Sequence, residues 1–160
     1  MIKITILCVG KLKESWWRDA CAEYSRRMGR FADFSIIEVD EERIPDDPSA
    51  AQIENTLKKE GKRLLEKLPA GSRMTAMCIE AKQQSSEELA YLIERQALEG
   101  CSNQVFVIGG SWGLSDEVIS HADMKLSMSK MTFPHQMARV MLCEQLYRAL
   151  QINNNGKYHK

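Results

Sequence analysis

The sequence predicts a single α/β domain, residues 1–160, built on a parallel sheet. Short apolar segments rich in β-branched residues alternate along the chain with segments in which apolar residues recur at helical spacing. The segment Met74–Ile79 lacks a polar–apolar alternation, which indicates a strand buried on both faces, and Val105–Ile108 is the most apolar of the strand candidates. Strands that alternate with helices are typical of a parallel sheet covered by helices.

The first half of the chain contains two predicted strand–helix units. The first strand ends at Gly10, and the helical stripe that follows it ends at Gly29. An acidic, proline-containing loop separates the second strand from a helix that begins after Ser49 and is stopped by Pro69. The predicted elements are strand 2–10, helix 13–28, strand 34–39, loop 40–48 and helix 49–68.

The second half continues the alternation of strands and helices. Ser85 and Glu88 have the spacing of a capping box, and Pro134 lies where a first-turn proline is tolerated. The segment Val140–Cys143 is apolar on all sides, so we expect it to be buried on every side. The predicted elements are strand 74–79, helix 85–100, strand 105–108, helix 115–121, strand 124–128 and a helix from 134 to about 150.

The composition indicates a globular protein of the reducing cytoplasm. No apolar run approaches the roughly 20 residues of a membrane span, and the amino terminus lacks the cleavage site of a signal peptide. The formal net charge is zero, which does not favour binding of naked nucleic acid. Five cysteines without CxxC or Cys/His spacing predict reduced structural thiols and no metal site: Cys8, Cys21, Cys78, Cys101 and Cys143.

The charges are unevenly distributed along the chain. Residues 31–60 hold nine acidic residues against three basic ones, whereas residues 1–30 hold seven basic residues against three acidic ones. An RNA-binding face at the chain ends is compatible with this pattern, but so is an ordinary solvated surface.

Two segments of the last third of the chain have the character of ligand-binding loops. Gly109, Gly110 and Gly113 follow a buried strand and precede a helix, which is where open parallel sheets bind ligands. Their spacing matches neither GxGxxG nor a phosphate loop, so a simple tight turn is an equally good interpretation. The segment 126–134, LSMSKMTFP, would suit an adenine ring and a thioether, or would simply connect a strand to a helix.

Several side chains capable of chemistry also lie in this region. His135 and Arg139 are four residues apart, so they share one face of the predicted last helix. The chain ends on Lys157, Tyr158, His159 and Lys160, although a polar tail usually frays unless something holds it. A lone histidine is more often structural than functional, so these residues are candidates only.

In combination, the chain resembles the RlmH family of SPOUT-class methyltransferases, which modify N3 of a pseudouridine in large-subunit ribosomal RNA. The resemblance lies in four segments that occur in this order: FVIGGSWGLS, LSMSKMTFPHQMARV, EQLYRA and the terminal KYHK. It extends over the whole chain and includes the opening segment ITILCVGKLKESWW.

The resemblance implies a SPOUT fold whose carboxy-terminal part is tied into a trefoil knot. It also implies an obligate homodimer that holds S-adenosylmethionine in the knot and acts on 23S rRNA in the assembled ribosome, without a membrane or a metal. Transferred residue by residue, the family's cofactor contacts fall on Met77, Gly109, Met128, Ser129, Lys130, Met131, Thr132 and Phe133.

We further expect His135, Arg139, Tyr158 and His159 to line the pocket for the target base. Tyr158 could stack on the base or form a hydrogen bond with it, and His159 could accept its proton or hold the phosphate. The sequence does not rank these four candidates.

Three alternatives differ in class or substrate. A related knotted methyltransferase could act on transfer RNA, and a ribosome-binding factor could keep the cofactor pocket without activity. A nicotinamide-dependent oxidoreductase would need an early GxGxxG, whereas the first turn here reads VGKLK, so this class is set aside.

Overall fold

Ten elements of secondary structure form a five-stranded sheet with helices on both faces. The structure is a computed structural model that describes residues 1–160. The elements are β1 (Ile2–Val9), α1 (Ser15–Met28), β2 (Ala32–Val39), α2 (Ala50–Lys67), β3 (Arg73–Met77), α3 (Ser86–Leu98), β4 (Asn103–Ile108), α4 (Asp116–His121), β5 (Met124–Leu126) and α5 (His135–Asn153).

All neighbouring strands are parallel, which confirms the predicted α/β fold with a parallel sheet. The strand order is β2-β1-β4-β3-β5. The chain leaves β1 toward one edge of the sheet and leaves β4 toward the other, so the order reverses between these two strands. In open parallel sheets the crevice outside such a reversal is where ligands bind.

Two apolar layers cover the sheet. One layer packs α1, α3 and α5 against one face, around Ile4, Ile6 and Phe106. The other packs α2 and α4 against the opposite face, around Leu7, Val105 and Val107. Because the inner strands bury side chains on both faces, their sequences do not alternate between polar and apolar residues.

Two predicted strands end earlier than their apolar sequence suggested. β3 ends at Met77 and β5 at Leu126, where the Cys78 amide donates to the Leu126 carbonyl at 2.9 Å. Beyond these points the chain leaves the sheet, so residues 78–79 and 127–128 belong to loops. These loops form two walls of the cleft described below.

Helix α5 departs from the prediction in two respects. Pro134 is its N-cap residue rather than a residue of its first turn, and the helix continues to Asn153. Leu142 and Cys143 are buried, but Val140 and Met141 are only half-buried. The prediction that this segment is buried on every side is therefore wrong within a single chain. α5 packs against α1, α3 and β4, which leaves one side of the helix facing outward.

None of the helices combines the length and apolar character that crossing a bilayer requires.

Candidate functional site

A cleft with an empty volume of about 630 Å³ lies at the carboxyl ends of β3, β4 and β5. Its lining is mostly apolar and comes from three loops and the start of α5. The lining residues are Met77, Cys78, Ile79, Ile108, Gly109, Gly110, Gly113, Leu126, Met128, Ser129, Met131, Phe133, His135 and Ala138.

The glycine turn after β4 forms one wall of the cleft. The Gly113 amide donates to the Gly110 carbonyl at 3.1 Å, and Gly113 has φ +86°, a left-handed conformation that favours glycine. A Cβ added at Gly109 would collide with the carbonyl of Gly113. The tight turn therefore requires glycine at both positions, and the wall that it offers is backbone.

The loop after β5 is held by its serines. The buried Ser127 hydroxyl donates to the Ser129 carbonyl at 3.0 Å, and the Ser129 hydroxyl accepts from the Met131 amide at 3.0 Å. These hydrogen bonds lie in the same loop as Met128, Met131 and Phe133, whose side chains line the cleft. Backbone polar groups and soft apolar side chains therefore face the same space.

The structure brings six of the eight predicted cofactor residues to this cleft: Met77, Gly109, Met128, Ser129, Met131 and Phe133. Lys130 and Thr132 belong to the same loop but are not among the lining residues, and both are exposed. Gly110, Gly113 and Leu126 belong to the two candidate ligand loops found in the sequence, whereas Cys78, Ile79 and Ile108 line the cleft without having been predicted. Their position at strand ends could have identified them, because parallel strands present their carboxyl ends at the same edge.

Of the predicted catalytic residues, His135 lies on the cleft. Its side chain is half-buried, and burial lowers its pKa below the ordinary value of 6.5, with Glu41 acting in the opposite direction. The Cβ position of Gly10 lies 3.8 Å from both Glu41 Oε2 and His135 Nε2. The imidazole is therefore mainly neutral at pH 7 and has a lone pair that can accept a proton.

Arg139 lies one turn further along α5 and does not line the cleft. Its side chain is only 2% exposed, pairs with Glu38 and donates to the Gly10 carbonyl at 3.0 Å. The guanidinium thus connects α5 to the ends of β1 and β2. This contact fixes the start of the helix that carries His135.

The predicted tail residues lie on the α3 and α5 side of the molecule, outside the lining of the cleft. The Tyr158 hydroxyl donates to Glu144 at 3.1 Å, and its ring lies edge-on to Tyr147 with the centroids 4.8 Å apart. The Arg148 guanidinium stacks on the Tyr158 ring at 4.7 Å. Burial raises the pKa of Tyr158, as do its contacts with Tyr24 and Glu144, so the phenol stays protonated at pH 7.

His159 is held from two sides. Its Nδ1 lies 3.2 Å from an Arg148 nitrogen, and its Nε2 lies 2.8 Å from Glu87 Oε1 on α3. The tail is therefore ordered by specific contacts. Within one chain, Tyr158 and His159 are not brought together with His135.

No group of three or more metal-ligating side chains is gathered anywhere in the chain. The groups available at the cleft are backbone polar groups, apolar side chains, the Cys78 thiol, the Ser129 hydroxyl and the His135 imidazole.

Comparison with known proteins gives a family match over nearly the whole chain. The family model described as "Predicted SPOUT methyltransferase" matches residues 2–159. A Lactococcus lactis protein named "Ribosomal RNA large subunit methyltransferase H" is 45% identical over 159 residues, which cover 99% of this chain and 100% of the relative. A protein of the same name from Lactiplantibacillus plantarum is 46% identical with the same coverage.

Solved structures agree at the level of the fold. A probable methyltransferase from Bordetella pertussis superposes with a TM-score of 0.58 at 17% identity, covering 93% of this chain and 96% of that one. A candidate methyltransferase from Legionella pneumophila, solved with its cofactor SAM bound, gives a TM-score of 0.50 at 13% identity, covering 95% and 66%. At such identities the likeness concerns the fold alone.

Proposed function

The chain belongs to the SPOUT methyltransferase family, and from this premise we propose that it transfers a methyl group from S-adenosylmethionine to 23S ribosomal RNA. The target atom that we propose is N3 of a pseudouridine. The observation that carries the proposal is the cleft at the ends of β3, β4 and β5, because its walls suit this donor and the full-length relatives are named as ribosomal RNA methyltransferases.

The residues of the cleft fit S-adenosylmethionine. Backbone at Gly109 and Gly110 can approach a ligand closely, and backbone amides and carbonyls at the three loops can recognise the edge of a purine. Met77, Met128 and Phe133 offer apolar, polarisable surface for an adenine ring and for the carbons around sulfur. The bound cofactor would supply an electrophilic methyl group.

The chain must then align a nitrogen lone pair with that methyl group and remove the proton of the ring nitrogen. Alignment of reactants can contribute about 7–11 kcal/mol, and a positioned base typically contributes about 10²–10⁴-fold. His135 suits the second task because it lies on the cleft and is mainly neutral at pH 7. We assign to Arg139 the positioning of His135, since its side chain is buried against Glu38 and the Gly10 carbonyl.

A homodimer would reconcile the position of the tail with a role in the site. Tyr158 and His159 lie outside the cleft of their own chain, while large apolar side chains are exposed at or near the cleft: Trp112, Met131 and Met137. If these side chains form one contiguous surface, it would suit contact with a partner. We propose that two copies pair through this surface, so that the tail of one copy completes the base pocket of the other.

The charge of the chain favours a preformed RNA surface as substrate. Enzymes that bind naked RNA depend on many phosphate contacts, whereas this chain has no net charge. In the assembled ribosome, shape can supply the selectivity. The alternatives, a methyltransferase acting on transfer RNA and a non-catalytic ribosome-binding factor, predict different outcomes in the following experiment.

The test is transfer of tritium from labelled S-adenosylmethionine to ribosomes isolated from a strain that lacks this protein, followed by mapping of the modified nucleotide. We expect label in 23S rRNA at one pseudouridine. His135→Ala should reduce transfer by at least about tenfold, whereas His121→Ala, an exposed histidine on α4, should not. Label in transfer RNA only, or cofactor binding without any transfer, would contradict the proposal.

A further inference from the structure

A buried carboxyl group lies directly behind the glycine turn of the cleft. Glu60 of α2 is only 4% exposed, and its oxygens lie 3.6 and 3.7 Å from the position that a Cβ of Gly110 would occupy. The next residue, Gly61, lets α2 approach the segment that follows the turn, because a Cβ there would lie 2.6 Å from Ser115 Oγ. A single turn of α2 therefore supports the wall that Gly109 and Gly110 present to the ligand.

The surroundings of this carboxyl group are acidic. Glu60 Oε2 accepts a hydrogen bond from the Glu42 amide at 3.0 Å, and Glu41 and Glu42 lie in the loop that packs against it. Arg63 is also near, but it forms an ion pair with Glu42. Burial raises the pKa of Glu60, and the nearby Glu41 and Glu42 carboxylates raise it further, whereas the hydrogen bond from the Glu42 amide and the charge of Arg63 favour the ionised form.

The cleft itself contains no basic residue that would cancel this charge. Its lining includes no lysine, arginine, aspartate or glutamate, and its one histidine, His135, is mainly neutral at pH 7. Arg139, behind Gly10, is paired with Glu38. A ligand in the cleft therefore meets an apolar wall with a buried carboxyl group behind it, and the charge of that group, when ionised, is weakly screened by solvent.

We propose that Glu60 is ionised behind an occupied cleft and that its charge makes the cleft favour the cationic sulfonium donor over the demethylated product. This inference rests on the proposed function. S-adenosylmethionine and S-adenosylhomocysteine share every group except the methyl group on sulfur, which leaves the donor with one more positive charge. For an effective dielectric constant of about 20, a negative charge placed at roughly 10 Å from the sulfur would favour the charged ligand by on the order of tenfold.

The same charge has a predictable effect on the reaction. Positive charge on sulfur declines as the methyl group departs, so Glu60 stabilises the bound donor more than the transition state. Only interactions that strengthen in the transition state raise kcat. Loss of the charge should therefore raise KM for the donor without lowering kcat. The product should also inhibit more strongly, because its affinity would fall less than that of the donor.

The test compares wild type with Glu60→Gln by calorimetric titration of three probes: S-adenosylmethionine, S-adenosylhomocysteine and sinefungin, an analogue with an ammonium group in place of the methylsulfonium. Glutamine preserves the side-chain volume and can still accept from the Glu42 amide, so the fold should persist, which thermal unfolding would verify. Glu60→Asp keeps the charge, and Glu66→Gln removes an exposed carboxylate from the same helix.

We expect Glu60→Gln to lower the ratio of donor affinity to product affinity by about tenfold, with sinefungin following the donor. Glu60→Asp and Glu66→Gln should keep the wild-type ratio. Equal weakening of all three probes, or an unchanged ratio, would overturn the inference and leave the proposed function intact. If wild type bound none of the probes, the proposed function itself would be refuted, and the inference with it.

Discussion

Single residues around the cleft act through backbone shape in some positions and through side chains in others. Gly109 and Gly113 act by the absence of a Cβ, because the turn leaves no room for one at Gly109 and has a left-handed backbone at Gly113. Arg139 acts through a buried side chain that connects three parts of the sheet layer. Removal of one partner of a buried ion pair leaves an uncompensated charge, so the positioning role of Arg139 is also a stability role.

Gly109→Ala should deform the cleft. The added Cβ would collide with backbone at Gly113, which cannot rotate away as a side chain can, and overpacking typically costs about 1–3 kcal/mol. We expect a lower midpoint of urea unfolding and the loss of calorimetric binding of S-adenosylmethionine.

Gly29→Ala is the matched control for this substitution. Gly29 has φ −57°, and a Cβ there would meet its nearest atom at an ordinary 3.5 Å. Alanine should stabilise the protein by about 0.4–1 kcal/mol and leave binding unchanged. Wild-type binding by Gly109→Ala would show that the turn is not part of the cofactor site.

Among the elements, helices α2, α3 and α4 begin at serine caps, whereas α1 and α5 begin without a side-chain cap. Ser49 and Ser85 each form a complete capping box with the residue three positions later, Gln52 and Glu88. Such boxes satisfy amides that a helix start would otherwise leave unpaired. For this reason the starts of α2 and α3 could be predicted from the sequence almost to the residue.

Ser85→Ala should destabilise the protein by about 1 kcal/mol, because the Glu88 amide, at 3.1 Å from the Ser85 hydroxyl, would lose its acceptor. The measurement is urea unfolding followed by circular dichroism. Ser102→Ala, an exposed serine between α3 and β4, should lie within about 0.5 kcal/mol of wild type. If both substitutions had equal effects, the cap would not be a determinant of α3.

For the whole molecule, the main feature is that the cleft and the tail, which both carry predicted site residues, lie apart. Contacts with Glu144, Arg148 and Glu87 hold the tail against α3 and α5, away from the cleft of the same chain. The proposed dimer assigns the tail to the cleft of the other copy. The trefoil knot implied by the resemblance stays a prediction.

Mixed dimers test this assignment. His135→Ala and Tyr158→Ala should each be inactive alone, but a mixed dimer would contain one site with both native groups. Random mixing of equal amounts should restore roughly a quarter of wild-type methyl transfer, since half of the dimers are mixed and each has one intact site.

The control pairs His135→Ala with the double variant His135→Ala/Tyr158→Ala, which cannot form an intact site in any combination. This mixture should remain inactive. If the first mixture also failed although native mass spectrometry showed that mixed dimers had formed, the cleft and the tail of one chain would have to act together.

Local sequence patterns were enough to predict the parallel α/β fold, the order of its elements, the caps of α2 and α3, and the two loops that line the cleft. These features depend on local properties: apolar periodicity, capping residues, and glycines at a strand end. The resemblance to a family added candidate residues, of which Met77, Gly109 and Met128 lie on the cleft and Lys130 and Thr132 do not.

The folded chain was needed to show where strands β3 and β5 end, that Arg139 is buried, and that Tyr158 and His159 lie against α5. Arg139 contacts Glu38 and Gly10, which are 101 and 129 positions away in the chain, and His159 contacts Glu87 across 72 positions. No local sequence pattern indicates which residues so far apart in the chain will be in contact. They follow from how the sheet orders its strands and which helix faces pack together, since these decide which distant side chains meet.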